Sequence, residues 1–283
     1  MKIAIVTDTN SGILEQHANK LGVFTVPMPF CVDGKWLYEG QGLSAQEFFK
    51  LQSAGVKITS SQPSPQDVTA LWDKVLQQHD QLVYIPMTSG LSGSAQTAAS
   101  LALDYGDRVQ VVDNRRISLT QHQSVLDAKC LVKKGLTAQQ IKQKLEQDAD
   151  KASIYPAADT LKYLKQGGRV TPAAAAIGTV LNIKPVLQIQ TGGVDAYAKV
   201  RGMRAAVETM LDAIGQDLTG RFDGLPMHIG VAYAGDEELG QKWHKYVQSR
   251  FPRCKVQCAP LSLSIACHTG PGALGVGCFY YQE

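Results

Sequence analysis

Serine, threonine and glycine residues are concentrated in four polar segments that interrupt an otherwise apolar chain. The segments are residues 7–12, 59–64, 88–94 and 165–169. The third is the most informative, because Ser89, Ser92 and Ser94 are interspersed with two glycines. Glycines let a ligand approach the backbone, and the hydroxyls add donors to the N–H groups of a helix that we predict to start near Ser92. This combination favours the binding of an anion.

Each of these polar residues also has a plain structural explanation. Ordinary capping of the helix would need one serine rather than three hydroxyls and two glycines, which favours function for this segment. Ser60, taken alone, could be a turn residue before a helix that begins with Pro65. Arg169 could be a solvated surface charge, and His268 could be a structural histidine before a glycine-rich run. Local sequence leaves these three open.

Short apolar strands that alternate with amphipathic helices must position the polar segments. This pattern is typical of an α/β protein with a largely parallel sheet. Residues 3–6, 82–85 and 109–112 are the predicted strands of the first half, and polar residues follow each one. In an open α/β sheet, ligands bind beyond the carboxyl ends of the strands, where such loops gather.

Capping residues mark three helix starts. Ser44 with Glu47, and Thr137 with Gln140, have the spacing of a capping box. Ser64 stands before a proline, which suits the first helical position.

A second domain is predicted to begin near residue 152, after a polar stretch, so that the domains are residues 1–151 and 152–283. The elements expected in it are two short helices flanking 167–168, strands at 186–189, 197–200 and 228–233, helices over about 203–218 and 236–250, and short strands around the glycine cluster 270–277.

Composition and charge exclude several classes of protein. The length of 283 residues suits roughly two domains, and a net charge of +3 is too small to indicate a nucleic-acid partner. The first apolar stretch ends at Asp8, and the longest uncharged apolar tract, residues 173–183, has about half the length that spans a bilayer. Six scattered cysteines without zinc-like spacing predict reduced, mostly buried thiols. We therefore expect a cytoplasmic protein with no transmembrane segment and no metal.

Two motif matches are spurious. Residues 270–275 fit GxGxxG, but only eight residues follow Gly275, too few for the rest of a dinucleotide-binding unit. Residues 90–94 resemble a nucleophile elbow but end in Ser94, where GxSxG needs glycine, and no His–acid pair is evident. The residues therefore indicate no cofactor and no catalytic group.

An ordered set of motifs resembles the DegV family of bacterial fatty-acid-binding proteins over nearly the whole chain. The motifs lie at residues 5–9, 59–64, 88–94, 112–114 with Ser118, 161–170, 181–185, 199–202 and 268–273. Each is weak alone, and their order makes the set specific. The resemblance implies a two-domain fold whose N-terminal α/β domain has a mostly parallel Rossmann-like sheet and whose C-terminal α/β domain has a mixed sheet. It also implies a long-chain fatty acid enclosed between the two domains.

The resemblance further implies roles for individual residues. The implied ligand-binding residues are Ser60, Ser92, Arg169 and His268, and the implied supporting residues are Thr59, Ser89 and Gly93. Hydroxyls of Ser60 and Ser92 would hold the carboxylate. The chain departs from the family at Ser60, where threonine is usual, although a hydroxyl is kept. The implied activity is that of a non-catalytic carrier, which presents the fatty acid to a partner kinase for acyl-phosphate formation.

The physical chemistry of a fatty acid agrees with this interpretation. A buried carboxylate must be hydrogen-bonded or neutralised, and two hydroxyls, helix-terminal N–H groups and an arginine would do so. About fourteen methylene groups at roughly 0.8 kcal/mol each would supply on the order of 10 kcal/mol before costs. The chain then needs an enclosed apolar tunnel, for which residues 173–181 are the first candidates.

Two other functions remain open from the residues alone. An enzyme acting on a small phosphorylated or carboxylated metabolite could use the same anion-binding loops, with Asp8 and Asp113 as its candidate carboxylates. Both aspartates follow predicted strands and are better explained as caps that order loops. A regulatory protein with a vestigial pocket is the third hypothesis.

Overall fold

The computed structural model describes residues 1–169, 183–190 and 192–282, and these residues form three β-sheets. The strands are β1 (Ile3–Asp8), β2 (Phe24–Val26), β3 (Pro29–Val32), β4 (Lys35–Tyr38), β5 (Ile58–Ser60), β6 (Gln81–Ile85), β7 (Val109–Val111), β8 (Ala152–Ala157), β9 (Ile183–Gln188), β10 (Asp195–Arg201), β11 (Met227–Tyr233), β12 (Val256–Pro260) and β13 (Leu274–Tyr280). The helices are α1 (Glu15–Leu21), α2 (Ala45–Ser53), α3 (Pro65–Leu76), α4 (Ser94–Ala102), α5 (Leu119–Lys133), α6 (Ala138–Gln147), α7 (Lys162–Gly167), α8 (Met203–Thr219), α9 (Glu237–Arg250) and α10 (Leu263–Thr269).

The first sheet has the strand order β2-β1-β6-β7, and all of its strands are parallel. Helices cover both faces, which is why the strands are apolar nearly throughout. Ile5 and Val83 pack on one face against α5 and α6, whereas Val6 and Tyr84 pack on the other against α3 and α4. The carboxyl ends of β1 and β6 therefore point their loops to the same edge.

A second, antiparallel sheet has the order β4-β3-β5. Asp33 and Gly34 connect β3 to β4 with positive φ angles of 47° and 84°, as a tight two-residue hairpin turn requires. The sequence carries no clear pattern for this sheet, which was not predicted, because its strands have only three or four residues. Its consequence for the site is that Ser60 ends β5 opposite Phe30 of β3.

The third sheet is mixed and has the order β10-β9-β8-β13-β11-β12. Only β11 and β12 are parallel among the pairs that the structure describes. Helices α8 and α9 cover one face, where Met210 and Trp243 are buried against the strands. The parallel first sheet and the mixed third sheet confirm the predicted α/β class and its two kinds of sheet. The boundary between residues 151 and 152 stays a prediction.

Helix starts agree closely with the sequence. Ser44–Glu47 and Thr137–Gln140 form complete capping boxes, and Ser64 caps α3 before Pro65. The helix predicted to start near Ser92 begins two residues later, because Ser92 lies in a turn in which its own N–H and that of Leu91 bond the Thr88 carbonyl.

In the second half, α8 and α9 confirm the predicted helices. The short strands expected around residues 270–277 are instead one strand, β13, which the loop 270–273 precedes. The second short helix expected after 167–168 and the tunnel residues 173–181 lie outside the described residues.

Two further expectations concern membranes and cysteines. Among the described residues, no helix combines the length and the apolarity that crossing a bilayer demands. Cys267 and Cys278 are buried as free thiols, whereas Cys258 is exposed and three others are half-buried. The expectation that most of the thiols are buried is therefore wrong.

Candidate functional site

The six-stranded sheet carries large side chains on one face and small ones on the other. On β13, Leu274, Val276 and Cys278 belong to the core beneath α8 and α9. Because side chains alternate along a strand, the intervening Gly275 and Gly277 face the opposite way. Strand β13 therefore carries little side-chain volume at these positions on the face toward the N-terminal half of the chain.

Strand register continues this small-residue pattern into the neighbouring strands. The cross-strand rows on this face are Pro156–Gly275–Ala232 and Ile154–Gly277–Gly230. Residues opposite each other in an antiparallel pair share a face, so the two rows form one floor. All six residues line a single cavity, which encloses about 1170 Å³ of empty space including its opening. The small residues of these rows, Gly275 and Ala232 above all, thus leave room for the cavity above the sheet.

The N-terminal half of the chain and α10 supply the other walls of this cavity. Apolar side chains predominate there, including Met28, Met87, Leu91, Ile117, Leu119 and Ile265. Hydroxyl, amide and cationic groups line the cavity as well, and those that the sequence predicted lie on loops or element ends. Such a lining suits a mostly apolar ligand with one polar group.

Ser60 and His268 form a hydrogen-bonded pair at the cavity wall. The end of β5 presents Ser60, α10 presents His268, and a hydrogen bond of 2.7 Å joins Ser60 Oγ to His268 Nε2. Burial, assisted by the positive charge of Arg169, lowers the pKa of His268 to about 4. The imidazole is therefore neutral near pH 7. Its buried Nδ1 atom has no hydrogen-bond partner among residues 1–169, 183–190 and 192–282.

Ser92 lines the same cavity from the turn before α4. Its Oγ lies 2.7 Å from Ser94 Oγ and accepts a hydrogen bond of 3.2 Å from the Ser94 N–H. Gln62 ties the segment containing Ser60 to this helix by donating to Thr97 Oγ1 at 3.0 Å. A Cβ atom on Gly93 would lie only 2.7 Å from Gln62 Oε1, so the glycine lets the Gln62 side chain approach closely. The second and third polar segments therefore lie side by side.

Arg169 lines the cavity from an exposed position after α7. Its guanidinium donates to the carbonyl of Gly167. Gly167 itself is packed against the imidazole of His268, since a Cβ atom there would lie 2.0 Å from Nδ1. The positive charge is thus held near His268 at the edge of the cavity.

All four residues predicted to bind the ligand line this one cavity, and the three supporting residues do not. Thr59 is exposed on β5, where alternation turns it away from Ser60. The Ser89 N–H donates to Asp113 Oδ1 at 3.3 Å, and Gly93 makes room for Gln62. The roles of these residues toward a ligand stay predictions.

Asp8 orders the loops at the carboxyl ends of β1 and β6. Its carboxylate accepts hydrogen bonds from the Asn10 and Met87 N–H groups, at 3.0 and 2.8 Å, and from the Gln121 amide. It lies fully buried, and this burial raises its pKa to about 6. Asp113 likewise accepts from the Arg115 N–H. Both aspartates thus order loops, as the residues alone had suggested.

Sequence reasoning missed the buried contacts that fasten α10 to the N-terminal half. Glu39 accepts hydrogen bonds from the Leu263 and Ser264 N–H groups, at 2.8 and 3.2 Å. Asn10 Oδ1 accepts from the hydroxyls of Ser262 and Ser264. Of these residues, only Asn10 belongs to a segment that the sequence pattern singles out, namely the first polar segment. Glu39 follows a strand that was not predicted.

No group of three or more metal-ligating side chains occurs in the part of the chain that the structure describes. The polar atoms of the cavity are hydroxyls, amides, an imidazole and a guanidinium. These groups suit an anion better than a cation.

Comparison with known proteins identifies the family. The sequence model of a family described as "Uncharacterised protein, DegV family" matches residues 2–281. The chain belongs to the DegV family. A DegV domain-containing protein of Deinococcus radiodurans is 32% identical over 277 residues, which cover 98% of each chain. The resemblance inferred from the ordered motifs is confirmed.

Solved structures of DegV-family proteins share this fold. A fatty-acid-binding DegV-family protein of Thermus thermophilus is 30% identical, with a TM-score of 0.89 over 99% of this chain and 100% of that one. DegV of Bacillus subtilis, a fatty acid binding protein, is 26% identical, with a TM-score of 0.86 over 99% of both chains. The α/β fold implied by the resemblance is therefore confirmed for the residues that the structure describes.

Proposed function

We propose that this DegV-family protein binds a long-chain fatty acid, with the carboxylate beside Ser60 and Ser92 and the acyl chain in the cavity over the glycine-containing sheet face. The observation that carries this proposal is one apolar cavity whose wall includes all four predicted polar ligands. The fatty-acid-binding relatives from Thermus thermophilus and Bacillus subtilis support the same ligand class.

The chemistry at the wall suits a carboxylate. Hydroxyl protons of Ser60 and Ser92 would be donated to its oxygens, and Arg169 would supply the balancing positive charge. Because His268 is neutral near pH 7, the positive charge beside the carboxylate would come from Arg169. Each methylene buried against the apolar walls then adds roughly 0.8 kcal/mol of favourable transfer free energy.

In this proposal the protein is a cytoplasmic carrier without a cofactor, and its partner is a fatty-acid kinase. Arg169 and Gly93 are exposed beside the proposed carboxylate site. This exposure supports the carrier role, because a kinase could approach the carboxylate at these residues. The protein loaded with palmitate should give acyl phosphate from ATP only when the kinase is added. Acyl phosphate formed by the protein alone would contradict the carrier role.

The enzyme alternative has less support. It relied on Asp8 and Asp113 as reacting carboxylates, and both accept hydrogen bonds from loop backbone instead. No described observation favours it over fatty-acid binding.

The proposed ligand can be tested on the purified protein. Extraction with organic solvent followed by mass spectrometry should release fatty acid, and the delipidated protein should take up labelled palmitate with an increase in its thermal unfolding temperature. Absence of extracted lipid together with no palmitate uptake would exclude the proposed function. Uptake without a thermal shift would indicate binding outside the folded core.

A further inference from the structure

The cavity is lined by polar groups near the start of β13 and by large apolar side chains near the end of that strand. His268 lies in α10, which leads into the start of β13, so the polar groups adjoin the first residues of that strand. Phe279 lies near the other end of β13, on the same face as Gly275. The four residue steps between them span about 14 Å of extended strand.

At Gly230, the sheet that forms the floor of the cavity lies against side chains of Phe279 and of Leu119 in α5. A Cβ atom placed there would lie 2.8 Å from Phe279 Cε1 and 3.0 Å from the side chain of Leu119. Phe279 is fully buried in one cluster with Leu119 and Ala152. Phe279 and Leu119 both line the cavity, so the phenyl ring and the leucine methyl groups form one apolar part of its wall.

Gly275, four residues before Phe279 on β13, leaves open space above the sheet. A Cβ atom on Gly275 would meet only Ala232, at 3.9 Å, an ordinary van der Waals contact. The backbone of Gly275 has a negative φ angle that other residues adopt in strands. A side chain added at Gly275 would therefore extend into the cavity without displacing the sheet.

We propose that Phe279 and Leu119 form a stop that sets the longest acyl chain the protein accepts, and that Gly275 keeps the channel open before that stop. This inference rests on the proposed fatty-acid binding. Each further methylene adds affinity while it can be buried, but one that reaches the stop must stay outside or displace packed side chains. Affinity along a series of saturated acids therefore rises up to one length and then ceases to rise.

The test measures Kd for straight-chain saturated acids from octanoate to stearate. Gly275→Val should move the break in this series to a shorter acid, weakening palmitate binding by about tenfold for every two methylenes excluded. Leu119→Ala should move the break to a longer acid. Gly215→Val is the matched control, because Gly215 lies in α8 away from the cavity with nothing within 4 Å of an added Cβ.

The outcomes separate this inference from the function on which it rests. If the native protein binds none of the acids, fatty-acid binding itself is wrong. If it binds them and the break stays at the native length in both Gly275→Val and Leu119→Ala, the proposed stop is overturned. Circular dichroism checks that each variant folds, and if Gly275→Val does not, an unmoved break in Leu119→Ala alone overturns the stop.

Discussion

The hydrogen bond between Ser60 and His268 determines how the site can present a proton to a ligand. A neutral imidazole has one donor and one acceptor nitrogen. When Nε2 carries the proton, it donates to Ser60 Oγ, and the serine hydroxyl is then available to donate to a carboxylate. A charged imidazole would add a second positive group beside Arg169, and burial disfavours that form.

The protonation of His268 can be measured directly. We expect its ring resonances in the NMR spectrum of the ligand-free protein to titrate near pH 4, because burial lowers the pKa from 6.5 to about 4. The variant His268→Gln assigns the resonances among the six histidines. A midpoint near pH 6.5 would show that the imidazole is solvated and that the cavity wall is open to water at this point.

Ser92, in the turn before α4, can be tested against a serine within that helix. Ser92→Ala removes a hydroxyl at the cavity wall and should weaken palmitate binding by about tenfold or more, since a hydrogen bond to a charged group is lost. Ser100→Ala should leave Kd unchanged, because Ser100 is exposed on α4 and its hydroxyl donates to the Gln96 carbonyl of the same helix. Equal affinities in the two variants would remove Ser92 from the site.

At the scale of elements, helix α10 depends on a partner distant in the chain. Glu39 accepts from the first N–H groups of this helix, and Asn10 accepts from the serines at the same end. These bonds tie the helix that carries His268 to the loops after β1 and β4. The position of the imidazole therefore depends on buried polar contacts made more than 200 residues away in sequence.

Glu39 should make stability depend on pH. Burial raises its pKa from 4.5 to about 7, so between these values the folded chain holds a proton that the unfolded chain releases. The native free energy of unfolding should therefore fall, relative to that of Glu39→Gln, by up to about 3 kcal/mol as pH rises from 4.5 to 7.

Urea unfolding of both proteins at pH 4.5, 6 and 7.5 measures this difference. Glu15→Gln is the control for the loss of a glutamate carboxylate, because Glu15 is exposed in the first turn of α1. A difference between Glu39→Gln and the native protein that stays constant across the range would show that Glu39 is ionised without penalty.

Elements with strong local signals were predictable from the sequence, and those without were not. The capping boxes and three strands of the parallel sheet, β1, β6 and β7, are local features, as is the serine-rich segment before α4, whereas the three-residue β2 of that sheet was not predicted. The small sheet was missed because β3 and β5 are too short to show alternation, although the Asp33–Gly34 pair is a hairpin signal. Ser60 owes its orientation to this sheet.

At the scale of the molecule, the candidate site depends on register between strands far apart in the chain. Gly275 lies opposite Pro156 and Ala232, and no local pattern predicts those pairings. The sequence could therefore predict polar ligands and an enclosed tunnel, but not which residues form its floor. The ordered family motifs supplied what local physics could not, namely that residues 60, 92, 169 and 268 belong together.

The most direct test is a crystal structure with a fatty acid that carries bromine on its terminal carbon, located by anomalous scattering. We expect the carboxylate within hydrogen-bond distance of Ser60 and Ser92, and the bromine beside Phe279 at the far end of the cavity. Bromine next to Ser60, or ligand bound only on the outer surface while the glycine-containing floor stays uncovered, would contradict the account.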